Sequence, residues 1–102
     1  MPKFMELFGY NIYFWSNEGF PLEPIHIHVS KNPHQNATKI WILNDGTTQL
    51  DNNKDNIPSK DLKRILRTVS LFSEDIISLW KDHFGEVSYY NEPNLEEDFF
   101  RE

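Results

Sequence analysis

Apolar and polar residues alternate along the first half of the chain and recur at helical spacing in the second half. The alternation, together with β-favouring aromatic residues, predicts strands at residues 3–8, 10–16, 25–30, 38–43 and 47–50. An apolar stripe advances from Leu62 to His83 in steps of three, one or four residues, which predicts one long helix over residues 60–84, ended by Gly85. The stripe consists of Leu62, Ile65, Leu66, Val69, Phe72, Ile76, Leu79 and His83. The fold class is therefore α+β: an antiparallel sheet of about four to five strands with one long C-terminal helix packed on one face. Ser73 would also cap a second helix, so a kink near residue 73 is the alternative.

Strand alternation assigns the side chains of the predicted sheet to two faces. The face expected to pack on the helix is aliphatic, with one aromatic residue: Ile12, Phe14, Ile25, Ile27, Val29, Ile40 and Ile42. The opposite face is aromatic and basic: Tyr13, Trp15, His26, His28, Lys39, Trp41 and Leu43. Because one helix covers only one face, we expect this second face to be exposed, and an exposed patch of this kind marks a contact with a partner.

Composition narrows the class of protein. A chain of 102 residues fits a single domain, and the absence of cysteine excludes disulfides, a thiol catalyst and a thiolate zinc site. The net charge of −6 is uneven, since residues 91–102 hold five acidic residues against one arginine. We therefore predict a domain over residues 1–88 and an acidic, flexible tail over residues 89–102. The tail is either a frayed terminus or a short docking segment in which Phe99 and Phe100 supply apolar anchors. This tail is expected to lie on the Lys39 and histidine face as a lid.

The sequence contains no targeting or membrane segment. The N-terminal residues lack the apolar run of a signal peptide, and no stretch approaches the roughly 20 apolar residues of a membrane span. We expect a cytoplasmic protein with no membrane partner.

The two strand histidines permit several kinds of chemistry. His26 and His28 lie on the same side of a strand, with Cα atoms about 6.5–7 Å apart, so both could bind one metal with a third ligand from Glu18, Glu23 or His34. They could instead act as general acid and base in RNA cleavage, with Lys39 stabilising phosphate charge and Glu23 as a further catalytic candidate. Trp15 and Trp41 would suit RNA binding by base stacking, although the net negative charge counts against it. Whether the protein is an enzyme stays open at this stage.

Several motifs in this sequence resemble those of a small bacterial domain-of-unknown-function family (family 4160). The motifs are Gly9-Tyr10, Phe14-Trp15-Ser16-Asn17-Glu18, Glu23-Pro24-Ile25-His26-Ile27-His28-Val29 and Ala37-Thr38-Lys39-Ile40-Trp41, followed by Leu79-Trp80 and His83-Phe84-Gly85 in the helix. The resemblance covers about residues 4–85 and implies a bacterial, cytosolic, stand-alone domain without an established activity. Members of this family look like components of small two-gene modules of the toxin–antitoxin kind.

These observations lead to one main hypothesis and two alternatives. The main hypothesis is a non-enzymatic interaction domain that binds a protein partner or a second copy of itself and needs no cofactor. Its expected binding residues are Tyr13, Trp15, Glu18, Glu23, His26, His28, Lys39 and Trp41. The alternatives are an RNA-binding or RNA-cleaving domain that uses His26, His28 and Lys39, and a metal-binding protein that uses His26 and His28.

Overall fold

The structure, a computed structural model, describes residues 3–15 and 22–92, which form a sheet followed by helices. The described strands are β1 (Lys3–Leu7), β2 (Tyr10–Tyr13), β3 (His26–Ser30), β4 (Thr38–Ile42) and β5 (Thr48–Asn52). The described helices are α1 (Ser59–Leu71) and α2 (Ser73–Phe84). The predicted α+β class and the antiparallel sheet in the N-terminal half are confirmed.

The five strands of the described chain form a meander in which each strand pairs antiparallel with the next. Strands that are neighbours in the sequence are therefore neighbours in the sheet. The register sets Ile12 opposite Val29 and Ile27 opposite Ile40. Because directly opposite residues share a face, the aliphatic side chains of β2, β3 and β4 form one continuous surface.

The core lies between this aliphatic surface and the two helices. All seven residues predicted for the inner face are buried there, with Ile65 and Val69 of α1 and Ile76 and Trp80 of α2 facing them. Full burial of one such side chain contributes roughly 1.5–3 kcal/mol, so the packed layers stabilise the fold more than either helix does by itself.

The prediction of one long helix is wrong, because the helix is interrupted at Phe72. Phe72 has φ −104° and ψ 16°, and its N–H donates to the carbonyls of both Thr68 and Val69, at 3.3 and 3.1 Å. Its own carbonyl accepts the Ile76 N–H at 3.0 Å, so α2 begins where α1 ends. The alternative of a break near residue 73 is the one that the structure shows.

The interruption also changes which residues of α2 face the core. Phe72 and Leu79, both expected on the buried stripe, are 43% and 46% exposed, and Ser73 and Trp80 are buried instead. Ser73 lies against Gly46 in the β4–β5 turn, where a Cβ on the glycine would come within 2.9 Å of the serine Oγ. The neighbouring Ser70 hydroxyl donates to the Gly46 carbonyl at 2.9 Å. The junction of the helices therefore packs on this turn, where only small side chains fit.

After α2 the chain returns to the sheet. Gly85 ends the helix at φ 81°, as the sequence predicts. The Ile25 N–H then donates to the Ser88 carbonyl at 2.9 Å, and the side chains of Asn44 and Asn91 are hydrogen-bonded at 3.1 Å. Residues 89–92, the start of the predicted tail, thus contact the domain, whereas residues 93–102, with Phe99 and Phe100, lie outside the described residues.

Candidate functional site

The strand register places most of the predicted binding residues in two adjacent rows across the sheet. Tyr13, His28 and Lys39 are successive partners on β2, β3 and β4, and His26 is opposite Trp41 in the next row. Glu23 precedes β3, and its carboxylate lies beside Lys39 of the first row and His26 of the second. We call these residues the sheet-face cluster: Tyr13, Glu23, His26, His28, Lys39 and Trp41.

The expectation that this face is exposed is wrong. Tyr13 and His26 have relative exposures of 0% and 1%, and His28 and Trp41 are each at 6%. Strand alternation does not account for cover by the segment that follows α2, which returns to the sheet. Tyr90 of that segment stacks flat on Trp41, with ring centroids 4.6 Å apart and planes 9° from parallel.

The buried rings of the cluster pack on one another. His26 and His28 meet edge-to-face with centroids 5.2 Å apart, and His26 meets the Trp41 indole in the same way at 5.6 Å. Tyr13 stacks on His28 at 5.7 Å. Trp80 of α2 lies 5.4 Å from His26, so the core and the sheet-face cluster touch at this end of β3. Ring pairs of this kind stabilise a structure beyond the area that they bury.

The charged groups of the cluster are paired at its rim. Lys39 Nζ lies 2.9 Å from Glu23 Oε1 and 4.3 Å from the centre of the Trp41 ring, so a salt bridge and a cation–π contact both hold it. Glu23 Oε2 lies 4.0 Å from His26 Nε2. Nδ1 of His26 lies 2.9 Å from the Pro24 carbonyl, and because a carbonyl only accepts, this nitrogen is the donor.

Tyr13 connects the cluster to the loop between β3 and β4. Its hydroxyl donates to the His34 carbonyl at 2.7 Å and accepts the His34 N–H at 2.9 Å. Burial raises the pKa of Tyr13 above 10.0; the hydrogen bond with the His34 backbone lowers this pKa and the negative charge of Asp55 raises it further. The His34 ring in turn contacts the Asp55 carboxylate at 2.9 Å.

Two residues of the site were not predicted from the sequence. Asp51 accepts the Trp41 indole N–H at 3.1 Å and lies at a shift in the register of β5, beyond residue 50, where the predicted strand ends. Tyr90 falls in the segment that the sequence predicts as a flexible tail. Two predicted binding residues do not belong to the cluster. Trp15, two residues past the end of β2, is half-buried, and Glu18 lies outside the described residues.

The described residues contain no group of three histidine, aspartate or glutamate side chains that could hold a metal ion. Of the proposed third ligands, His34 pairs with Asp55, and Glu23 pairs with Lys39. In the described part of the chain, a metal on His26 and His28 would thus have to compete with these ion pairs. Neither described helix is both long and apolar enough to span a bilayer.

Fold and site together define a small α+β domain: a five-stranded meander with helices on one face and a buried histidine–tryptophan cluster on the other. The family model for a domain of unknown function (DUF4160) matches residues 9–81, so the chain belongs to that family, as its motifs suggested. The corresponding comparisons found no matching curated protein and no matching solved structure.

Proposed function

We propose that the protein is a non-enzymatic interaction domain that contacts another protein, or a second copy of itself, at the rim of the sheet-face cluster. The observation that carries this proposal is Tyr90, which is 53% exposed yet held flat on the buried Trp41. A rigidly supported aromatic side chain buries a large area on binding at little entropic cost, and tyrosine is enriched at protein interfaces for this reason.

The charges beside Tyr90 support the same function. Glu23 is half-exposed and forms a salt bridge with Lys39, whose cation packs on the face of Trp41. The rim therefore presents one aromatic ring and one oriented carboxylate, a combination that favours a specific contact over non-specific apolar association.

The geometry favours binding over RNA cleavage. A general acid or base must come within hydrogen-bond reach of its substrate, whereas His26 and His28 are almost completely buried. Lys39, the proposed phosphate-stabilising group, is already neutralised by Glu23 at 2.9 Å. Of the two indoles predicted to stack on bases, Trp41 has one face occupied by Tyr90 and Trp15 is half-buried.

The proposal is tested with a photo-reactive benzoyl-phenylalanine in place of Tyr90, with Phe8 as the matched position. Phe8 is an aromatic residue of similar exposure, 44%, in the β1–β2 turn. We expect irradiation of the purified chain, or of cells that contain it, to give a discrete protein adduct from position 90 that position 8 does not give. Glu23→Gln should weaken this adduct severalfold.

The mass of the adduct distinguishes a second copy from another protein. Identical adducts from positions 90 and 8, or an adduct that ribonuclease removes, would overturn the proposal. The second of these outcomes would restore the RNA-binding alternative.

A further inference from the structure

Four basic side chains line one exposed face of α1. Lys60, Lys63, Arg64 and Arg67 recur at the spacing i, i+3, i+4, i+7, which places them on a single stripe, and all four are exposed. They are four of the ten lysines and arginines in a chain whose net charge is −6. We call this surface the basic stripe.

The charge of the basic stripe is uncompensated in the described part of the chain. No described carboxylate forms an ion pair with any of its four members, whereas Lys3 and Lys39 pair with Glu6 and Glu23. The Arg64 guanidinium lies 3.7 Å from the centre of the Phe8 ring, a contact that orients the cation without neutralising it. Like charges at this spacing repel one another, so an anion bound along the stripe would stabilise α1.

The chain leaves the described structure near the C-terminal end of the stripe. Asn91 is hydrogen-bonded to Asn44, which begins the turn that contains Gly46. The Gly46 carbonyl accepts from Ser70, in the last turn of α1. Residues 96–98 lie four to six residues past Glu92, so an extended chain carries them about 13–20 Å, and the stripe is only about 10 Å long.

The same segment carries the complementary charge. Glu96, Glu97 and Asp98 are consecutive, and they are followed by Phe99 and Phe100. We propose that the basic stripe is an anion-binding surface whose occupant is the acidic segment 96–98 of the same chain. Tethering raises the effective concentration of the segment to about the millimolar range, an advantage that a free polyanion such as RNA lacks.

The basic stripe is a different docking surface from the Lys39 and histidine face on which the lid is expected, and docking there does not depend on the proposed contact at Tyr90. Lys39 already has Glu23 as its counter-ion, whereas the basic stripe has none among the described residues. A polyanionic or acidic partner would then bind α1 only by displacing segment 96–98, which makes the segment a built-in competitor.

A zero-length carbodiimide cross-linker, which joins a lysine amine to a carboxylate in direct contact, tests the inference on the full chain. Mass spectrometry should find Lys60 or Lys63 joined to Glu96, Glu97 or Asp98 in a species of monomer mass. The yield should fall severalfold in 1 M salt, where the screening length is only about 3 Å. It should fall equally in the Arg64→Glu/Arg67→Glu variant.

The matched control is Lys54→Glu/Lys81→Glu, which makes the same change in net charge at exposed positions off the stripe and should leave the yield unchanged. Cross-links spread evenly over Lys54 and Lys81, or formed with Lys39 instead, would overturn the inference. So would cross-links confined to dimers, or labelled RNA that binds the full chain through Arg64 and Arg67 in the absence of a cross-link. None of these outcomes affects the photo-adduct from position 90, so the two proposals fail independently.

Discussion

At the scale of single residues, the position of each strand side chain follows from the sequence, but its environment does not. A strand has a period of two, so His26 and His28 must share a face, and with Lys39 and Trp41 they do. Trp41 is covered by Tyr90, which is distant in sequence and reaches the sheet because the chain turns back after Gly85. No local pattern encodes that contact.

The buried hydroxyl of Tyr13 provides a test of this environment. Tyr13→Phe removes the partner of both the His34 N–H and the His34 carbonyl, so we expect it to lower the free energy of unfolding by about 1–3 kcal/mol. Tyr90→Phe, the same change at a half-exposed ring, should cost less than about 0.5 kcal/mol. Urea denaturation of both variants measures the difference. Equal costs would show that the Tyr13 hydroxyl is not bonded as described.

Tyr13 also predicts a pH dependence. Burial raises its pKa in the folded state above the ordinary value of 10.0, so the folded protein retains a proton that the unfolded chain has lost at higher pH. The contribution of this tyrosine to stability is therefore complete below pH 10 and is lost as the pH rises above 10 toward the folded pKa. In urea titrations at pH 9 to 11, the stability of Tyr13→Phe should fall less steeply than that of the unmodified chain. Parallel curves would contradict the raised pKa.

At the scale of elements, periodicity predicts the strands and the helical region well and misses the break between the helices. The apolar register is continuous whether Phe72 or Ser73 occupies the buried position, so spacing alone cannot decide between them. The β4–β5 turn favours the small Ser73, because this serine packs so closely on Gly46 that a Cβ added to the glycine would lie 2.9 Å from its Oγ. A tertiary contact, rather than a local signal, thus sets the helix boundary.

Alanine substitutions at two glycines isolate that contact. Gly9 and Gly46 have nearly the same φ, +84° and +85°, but an added Cβ meets nothing at Gly9 and lies 2.9 Å from Ser73 Oγ at Gly46. Gly9→Ala should therefore cost about 1 kcal/mol from backbone strain alone. Gly46→Ala should cost roughly 1 kcal/mol more, because it also crowds the helix junction.

Ser73→Ala should abolish the additional cost of Gly46→Ala and leave the effect of Gly9→Ala unchanged. A double-mutant cycle on unfolding free energies measures this coupling. Additive effects of Gly46→Ala and Ser73→Ala would mean that the turn does not determine where the helix is interrupted.

At the scale of the whole molecule, one core joins the sheet to both helices. Residues from β2, β3, β4, α1 and α2 belong to the same buried cluster, and the segment after α2 adds Val87 and Tyr89 to its edge. Neither helix, of 13 and 12 residues, is long enough to be stable in isolation. The length of the chain predicts a single domain, and the apolar face of the sheet and the apolar stripe of the helical region predict a core between them. It does not predict that residues past the helices help to close the structure.

A shared core requires the helices and the sheet to unfold together. Circular dichroism at 222 nm reports the helices, and intrinsic fluorescence reports the buried Trp41 on the sheet and Trp80 on α2, so the two urea transitions should coincide. Ile65→Ala, which empties a fully buried position on α1, should shift both midpoints by the same amount and cost about 2–5 kcal/mol. Leu71→Ala, on the same helix but 78% exposed, should shift neither. Helical signal that persists after the fluorescence change would show that the helices form a separate unit, which outlasts the sheet-face cluster.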